Sequence, residues 1–187
     1  FDNYYIISVD VTGGSNGVRF TEIDMTLNAG LGGIVTTQKN IHLYDTTTNE
    51  SITVAKHANG NDYWIIGKEV GNTTYNAFLI TSTGVNLTPV KSYVGPAFGV
   101  QIGSLKVSRD GTMVALGGTG ATTRVLNFDN ATGILTPRFY DPRSSGYSVE
   151  FSPDGNYLYR TSLNDENIYQ YDLNAPDSLS FLASRTI

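Results

Sequence analysis

The residues with the clearest potential for chemistry lie around one predicted hairpin. His57, Asp62 and Glu69 follow one another across it, and an imidazole beside two carboxylates is a set that can move protons or hold a metal ion. The chain has two histidines, His42 and His57, so a metal site with three histidine ligands is excluded. The three residues are therefore candidates for a hydrolytic or metal site. The simpler alternative is a histidine that packs at a strand end.

The usual catalytic and cofactor motifs are missing from the sequence. It has no Gly-x-Ser-x-Gly nucleophile motif. The glycine-rich residues 117–120 lack the Lys-Ser/Thr pair that a phosphate-binding loop needs. Residues 59–62 and 164–166 carry carboxylate and amide oxygens, but too few for a calcium loop. Cysteine is absent, which excludes disulfides, zinc thiolate sites and cysteine nucleophiles. We therefore expect no cofactor and no metal.

Aromatic residues form a second group of candidates. Twelve Tyr, eight Phe and one Trp make up 11% of the chain. Tyr63 and Trp64 lie in one part of the sequence and Tyr157 and Tyr159 in another, and all four are candidates for a carbohydrate- or protein-binding surface. Packing between neighbouring sheets is the alternative, because aromatic side chains bury large apolar areas.

A repeated turn organises the elements that would carry these residues. Three times an apolar strand ends in a small-residue turn closed by Asn-Gly or Asp-Gly, at residues 57–60, 108–111 and 152–155. The first two closing glycines are 51 residues apart and the last two are 44 apart. In the last copy, Ser-Pro-Asp-Gly, the Ser and Asp side chains can bond to nearby backbone, Pro fixes one corner and Gly adopts a positive φ. A strand repeat of this period is typical of β-propeller blades.

The turns divide the chain into four units. The strands predicted for units two, three and four are residues 52–57, 63–69, 75–81 and 88–93; 104–108, 112–117, 123–128 and 134–139; and 147–152, 157–161, 167–172 and 179–185. Unit one has strand candidates at residues 4–11, 18–27 and 33–44 but lacks the repeated turn, so we interpret it as a blade whose innermost strand lies upstream of Phe1. Almost no helix is expected.

The predicted fold is therefore all-β. It is a single β-propeller region of four-stranded antiparallel blades, forming a partial ring of about four blades. The approximate blades are residues 1–45 (incomplete), 51–93, 100–140 and 146–187. Because the chain opens at Phe1 rather than Met, we expect a fragment of a longer chain.

Charge and hydropathy exclude some classes of partner. The net charge is −5 and basic residues do not cluster, so a nucleic-acid partner is not expected. No stretch approaches the roughly 18 apolar residues that a membrane-spanning helix needs. The absence of Cys does not fix the compartment.

Two stretches carry a resemblance to known proteins. Residues 152–159, Ser-Pro-Asp-Gly-Asn-Tyr-Leu-Tyr, resemble the repeat of WD-like and lactonase-like β-propellers. Residues 55–66, Ala-Lys-His-Ala-Asn-Gly-Asn-Asp-Tyr-Trp-Ile-Ile, followed by residues 78–86, resemble propeller regions of large exported Bacteroidota proteins. Such proteins often end in type IX secretion sorting domains or gliding-motility-associated modules. The resemblance implies a secreted or cell-surface location in a bacterium, with export across the outer membrane.

The same resemblance implies two candidate modification sites. Thr46, after Asp45, and Ser178, after Asp177, fit the short acceptor of the O-glycosylation found in that bacterial group. Such tripeptides are also common by chance.

Together these features favour a non-enzymatic exported module that contacts a protein or glycan at the cell surface, or travels as type IX secretion cargo and contacts the secretion machinery. A lactonase or hydrolase-type propeller enzyme is one alternative, and it would draw on His57, Asp62 or Glu69. A carbohydrate-binding propeller is the other, and it would use exposed aromatics such as Tyr63.

Overall fold

The computed structural model describes residues 2–11, 14–44, 48–97, 102–119, 122–143 and 146–187. They form four successive antiparallel sheets, here called blades one to four. Blade one contains β1 (Asn3–Val9), β2 (Val18–Asp24), α1 (Leu27–Gly30), β3 (Gly33–Ile34), a 3₁₀ turn (Thr36–Gln38) and β4 (Ile41–Tyr44). Blade two contains β5 (Thr48–Lys56), β6 (Tyr63–Glu69), β7 (Thr74–Thr81), β8 (Gly84–Val85) and β9 (Val90–Tyr93).

Blades three and four follow the same order. Blade three contains β10 (Gly103–Val107), β11 (Met113–Gly118), β12 (Thr123–Asp129) and β13 (Ile134–Asp141). Blade four contains β14 (Gly146–Phe151), β15 (Tyr157–Ser162), β16 (Ile168–Asp172) and α2 (Ser178–Ala183). In these two blades each strand pairs with its sequence neighbour, so the path is a simple meander.

The strand pattern predicted from the repeated turn is confirmed in most places. In blade two the second predicted strand, 63–69, matches β6 residue for residue, and other boundaries shift by a few residues. The outer strand predicted at 88–93 is present as β9, which begins at Val90, and a short additional strand, β8, lies in the predicted turn before it; both pair with β7. The third candidate of unit one, 33–44, is divided into β3 and β4, which both pair with β2.

The strand predicted at 179–185 is wrong, because most of this segment is helix α2. The Asp177 side chain caps the helix by accepting from the Ser180 N–H at 2.7 Å. Phe181 is fully buried and stacks on Phe139 and Tyr171, with ring centroids 4.5 and 4.8 Å away. A local cap and one buried ring thus override the strand repeat. Helix α1 is a tight turn, in which Asn28 and Ala29 have positive φ.

Among the described residues, the buried apolar side chains form three clusters, one at each junction between blades. Ile65 and Phe78 meet Phe20 between blades one and two. Trp64 packs with Leu126 and Phe128 between blades two and three, and a third cluster joins blades three and four. Strands such as β6 and β11 are buried on both faces because a neighbouring blade covers each side. No helix in the described ranges is long and apolar enough to cross a membrane.

Buried charges lie at the ends of the strands opposite the repeated turns. The Asp141 carboxylate is fully buried and accepts from the Tyr171 hydroxyl at 2.7 Å and from Arg160 Nη1 at 3.5 Å. Arg160 is 2% exposed, so this group of polar contacts ties blade three to blade four in the interior.

Lys68 is a second buried charge. Its Nζ donates to the carbonyl oxygens of Glu69 and, at 2.6 Å, of Asn72, and it lies 5.5 Å from the centre of the Tyr75 ring. Burial, helped by the positive charge of Arg124, lowers the pKa of Lys68 to about 8.

Candidate binding face

The three repeated turns have one geometry. Each closing glycine has a φ between +73° and +76°, a left-handed conformation that favours glycine. Each glycine N–H donates to the carbonyl oxygen three residues earlier; the distances are 3.0 Å (Gly60 to His57), 2.9 Å (Gly111 to Ser108) and 2.9 Å (Gly155 to Ser152). The turns therefore place equivalent residues at the same end of blades two, three and four, here called the turn face.

In the two regular copies a hydroxyl and a carboxylate lock the turn. Ser152 Oγ donates to Asp154 Oδ1 at 2.6 Å, and that oxygen also accepts from the Asn156 N–H at 3.1 Å. These bonds hold the pKa of Asp154 below its usual range, and the bond from Ser152 contributes most to the shift. Ser108 and Asp110 make the same 2.6 Å bond. The carboxylate of each regular turn is thus committed to the backbone that carries it.

In the irregular copy the imidazole of His57 takes over part of this function. Its Nδ1 accepts from the Asn59 N–H at 2.9 Å. Asn59 Oδ1 accepts from the N–H groups of Asn61 and Asp62, both at 3.0 Å, and its Nδ2 donates to Asp62 Oδ2 at 2.7 Å. Since Nδ1 is engaged as an acceptor, Nε2 is the ring atom left for an outside contact.

Trp64 anchors this turn to the next blade. Its indole N–H donates to the carbonyl oxygen of Asn130 at 2.9 Å, and the same oxygen accepts from the Ala58 N–H at 3.1 Å. The ring stacks on His57 with centroids 5.6 Å apart. Only 4% of Trp64 is exposed. Trp64 is therefore not part of an exposed binding surface, because its ring fills the junction between blades two and three.

A cleft opens where the turns of blades two and three meet. Cleft one has a volume of about 470 Å³, and its lining includes His57, Ser108, Arg109, Asp110 and Asn130. Ser108 and Asp110 are bonded to each other, whereas Arg109 makes no ion pair within the described part of the chain. The polar groups of the lining that make no hydrogen bond or ion pair within the described part of the chain include the Arg109 guanidinium, His57 Nε2, the Asn130 carboxamide and the Lys56 ammonium.

A second cleft lies on the other side of the same turn. Cleft two has a volume of about 830 Å³, and Asp2, Tyr5, Asn61, Tyr63 and Ser82 are among its lining residues. Tyr63, a candidate for a binding surface, is 38% exposed. Cleft two separates the start of β1 from the turn face of blade two.

The three weak catalytic candidates are not brought together. His57 and Asp62 share one turn, but Glu69 lies at the far end of the seven-residue strand β6, roughly 20 Å away. Glu69 is buried and accepts from the side chains of Asn72 and Asn76 at 2.7 and 2.9 Å. Among the residues that the structure describes, no group of three His, Asp or Glu side chains could hold a metal ion.

The remaining predicted sites lie away from both clefts. Tyr157 and Tyr159 are 37% and 36% exposed on β15 of blade four. Ser178 is the exposed first residue of α2. Thr46 lies outside the described residues.

Arg109 and Asn130 were not identified as site residues from the sequence. Arg109 occupies the turn position that holds Pro153 in the last copy and Ala58 in the first, so a turn alone explains it. Asn130 lies in a later turn and reaches cleft one only because the blades pack side by side. The sequence offered one signal for such a long-range contact. If Trp64 is buried, its indole N–H needs a hydrogen-bond acceptor from another part of the chain.

Comparisons with known proteins identify the fold. The sequence matches no protein-family model, and no curated protein matches it. Among solved structures, a candidate 6-phosphogluconolactonase from Bacteroides fragilis is 14% identical with a TM-score of 0.60, and the match covers 99% of this chain and 55% of that one. The periplasmic gluconolactonase of Pseudomonas aeruginosa is 20% identical with a TM-score of 0.55, covering 91% and 50%.

A third match was solved with a bound segment of another protein. Sqt1 of Chaetomium thermophilum, solved with the N-terminus of the ribosomal protein L10, is 17% identical with a TM-score of 0.56, covering 96% of this chain and 44% of that one. The chain thus spans about half the length of these structures. Four successive antiparallel blades, together with these neighbours, show that the fold is a β-propeller.

Proposed function

We propose that this region is a non-enzymatic propeller module that binds a protein or a glycan through cleft one. The observation that carries the proposal is that some polar side chains of the cleft lining hold the turns, whereas others are available to a ligand. Ser108 and Asp110 are used to hold the turn, whereas Arg109, Asn130 and His57 Nε2 are left free beside a cavity of about 470 Å³. Concave sites with a few convergent polar groups are the usual form of a ligand site.

The hydrogen bonding of the cleft supports binding rather than catalysis. A general base needs a free lone pair, but Nδ1 of His57 is occupied by the Asn59 N–H. Asp110 accepts from Ser108 and from both the N–H and the hydroxyl of Thr112, so its carboxylate is also committed. Because these hydrogen bonds occupy the groups that could act as a base, they favour a module that presents fixed hydrogen-bond donors over an enzyme.

The proposed partner is a protein or glycan outside the cell. Sqt1, a propeller of similar fold, is described in complex with a peptide segment of another protein. A periplasmic lactonase of the same fold supports export, as does the resemblance of residues 55–66 to exported Bacteroidota proteins. In this proposal the module is secreted or held at the cell surface, with type IX secretion as the export route. Because the neighbouring structures are about twice as long, we further propose that the four blades belong to a longer propeller.

The test is a binding screen with matched variants. The parent chain is immobilised and exposed to a glycan array and to a surface-protein fraction of the native host, and each retained ligand is then purified and titrated. The His57→Ser, Arg109→Ala double variant removes the imidazole and the guanidinium, and its serine restores the residue that the other two turns use. Lys91→Ala, on the exposed outer strand β9, is the control.

We expect a ligand whose affinity falls at least about tenfold in the double variant and stays unchanged in Lys91→Ala. A ligand that binds all three proteins equally would place recognition elsewhere. Location is tested separately by immunoblotting of host fractions, where a purely cytoplasmic signal would contradict export.

A lactonase is the second candidate, favoured by the two lactonase neighbours. Sustained hydrolysis of glucono-δ-lactone by the parent, lost in the double variant, would establish it and overturn the binding proposal. The carbohydrate-binding alternative predicts array signals that depend on Tyr63 rather than on Arg109.

A further inference from the structure

Two cationic side chains in the lining of cleft one are departures from the repeated turn. Lys56 directly precedes its turn, and the equivalent residues of blades three and four are the apolar Val107 and Phe151. Arg109 is the second residue of its turn, where the last copy has Pro153. Because the other copies close the same turn without these cations, turn geometry does not account for them.

These departures meet at one junction between blades. Lys56 and His57 belong to blade two and Arg109 to the turn of blade three, yet all three line cleft one. At the junction between blades three and four the equivalent positions hold a valine, a serine and a proline. The whole chain has a net charge of −5, whereas the described lining of cleft one has two cations and a single carboxylate, that of Asp110. The cleft is thus a basic site on an acidic chain.

The polar groups available in cleft one are mainly hydrogen-bond donors. Lys56 and Arg109 have donors and no acceptor, and neither forms an ion pair within the described part of the chain. Nδ1 of His57 accepts from the Asn59 N–H, so the neutral imidazole carries its proton on Nε2 and is a donor there. Asp110 already accepts hydrogen bonds from its own turn and from the residue after it. A ligand must therefore supply acceptors, and the two cations favour acceptors that carry negative charge.

The composition of the lining favours an acidic peptide over an acidic sugar. Sugar rings have apolar C–H faces that pack on exposed aromatic side chains. The described lining of cleft one contains no Tyr, Phe or Trp, and the neighbouring Trp64 is 4% exposed. The exposed Tyr63 lines cleft two instead. A guanidinium such as that of Arg109, in contrast, binds the carboxylate of an Asp or Glu side chain through two parallel hydrogen bonds.

We propose that cleft one recognises an acidic segment of the partner protein, in which at least two Asp or Glu side chains bind Arg109 and Lys56. Arg109 pairs with one carboxylate, and Lys56 attracts the second as a compact point charge. Nε2 of His57 donates to an acceptor of the same segment. This inference rests on the proposed function, because it names the chemistry of the partner of the same cleft.

The experiment measures the binding of labelled hexaglutamate to the parent chain by fluorescence anisotropy, at about 20 mM and about 150 mM salt. Hexaglutamine has the same length without the charges and is the matched peptide. The variants are Lys56→Glu, Arg109→Glu and Lys91→Glu. Lys91 is exposed on β9, outside both clefts, and its reversal changes the net charge by the same amount as the other two. Far-UV circular dichroism checks that the variants fold.

We expect saturable binding of hexaglutamate that weakens at least about tenfold in Lys56→Glu and in Arg109→Glu, and that stays within about twofold of the parent in Lys91→Glu. Hexaglutamine should bind at least about tenfold more weakly than hexaglutamate, and the affinity for hexaglutamate should fall at the higher salt concentration because salt screens exposed charges. An equal loss in all three variants would show a response to net charge alone and would overturn the proposal. The absence of hexaglutamate binding up to about 1 mM at low salt would overturn it as well.

Two further outcomes separate this inference from the proposed function. A neutral ligand from the binding screen that loses affinity in the His57→Ser, Arg109→Ala double variant would support cleft one as the binding site and overturn only its acidic partner. Tetragalacturonate that binds more tightly than hexaglutamate, and that depends on Arg109, would assign the carboxylates to a glycan and would also overturn the peptide. If hexaglutamate fails to bind and no ligand from the screen depends on the cleft, both proposals are wrong.

Discussion

Replacing Lys68 by Met should change how the stability of the protein depends on pH. Lys68 has no exposed surface, and its ammonium is held by two backbone carbonyl oxygens near the ring of Tyr75. Burial lowers its pKa from 10.5 to about 8. Methionine has a similar length and no charge, so Lys68→Met removes the titrating group with little change in packing.

The sign and size of the effect follow from this pKa. Between about pH 8 and 10.5 the unfolded chain holds a proton on Lys68 that the folded chain lacks. Raising the pH through this window therefore stabilises the fold. Relative to Lys68→Met, the parent should gain about 2 kcal/mol of unfolding free energy between pH 7 and pH 9.5.

Urea unfolding at the two pH values provides the assay. Trp64 is the single tryptophan and is buried at a junction between blades, so its emission reports unfolding. Burial also raises the pKa of Tyr44 and Tyr75, which destabilises the fold at higher pH, but both proteins contain these tyrosines and the difference cancels them. A difference between parent and variant that stays constant within about 0.5 kcal/mol would refute the assignment of a depressed pKa to Lys68.

Two further predictions concern packing between blades. Asp141→Ala leaves Arg160 buried without its carboxylate, so urea unfolding should show a loss of about 3–5 kcal/mol; a loss below about 1 kcal/mol would mean that the pair adds little. Gly133 and Gly155 both have positive φ, but a Cβ at Gly133 would lie 2.8 Å from the Trp64 ring, whereas nothing lies within 4 Å of one at Gly155. Gly155→Ala should cost about 1 kcal/mol, and Gly133→Ala about 1–3 kcal/mol more with a shifted Trp64 emission; equal costs would show that the ring moves aside freely.

Local chemistry explains which parts of the fold could be predicted. The Asn-Gly and Asp-Gly turns were found because their glycines need positive φ and their side chains bond within a few residues. Helix α2 was missed because its Asp177 cap resembles turn chemistry, and only the packing of Phe181 against Phe139 decides in its favour.

Long-range contacts account for what the sequence did not reveal about the candidate site. The bond from Trp64 to Asn130 joins residues 66 apart in the chain. Because of this bond, Trp64, predicted for a binding surface, instead holds blades two and three together, and Asn130 lies in cleft one. The separation of Glu69 from His57 likewise depends on the length of β6, because the turn that carries His57 lies at one end of this extended strand and Glu69 lies at the other.

Helix α2 also has a consequence for the behaviour of the protein in solution. An outer strand that ends a sheet offers unpaired N–H and C=O groups to other molecules, which is a common start of aggregation. After β16 the chain instead turns into α2 and returns, so that Gln170 exchanges backbone hydrogen bonds of 2.9 and 3.1 Å with Thr186 and the Asp172 N–H donates to Ser184 Oγ at 2.9 Å. The segment that interrupts the strand repeat thus occupies the outer edge of blade four and keeps this sheet from growing into a neighbouring molecule.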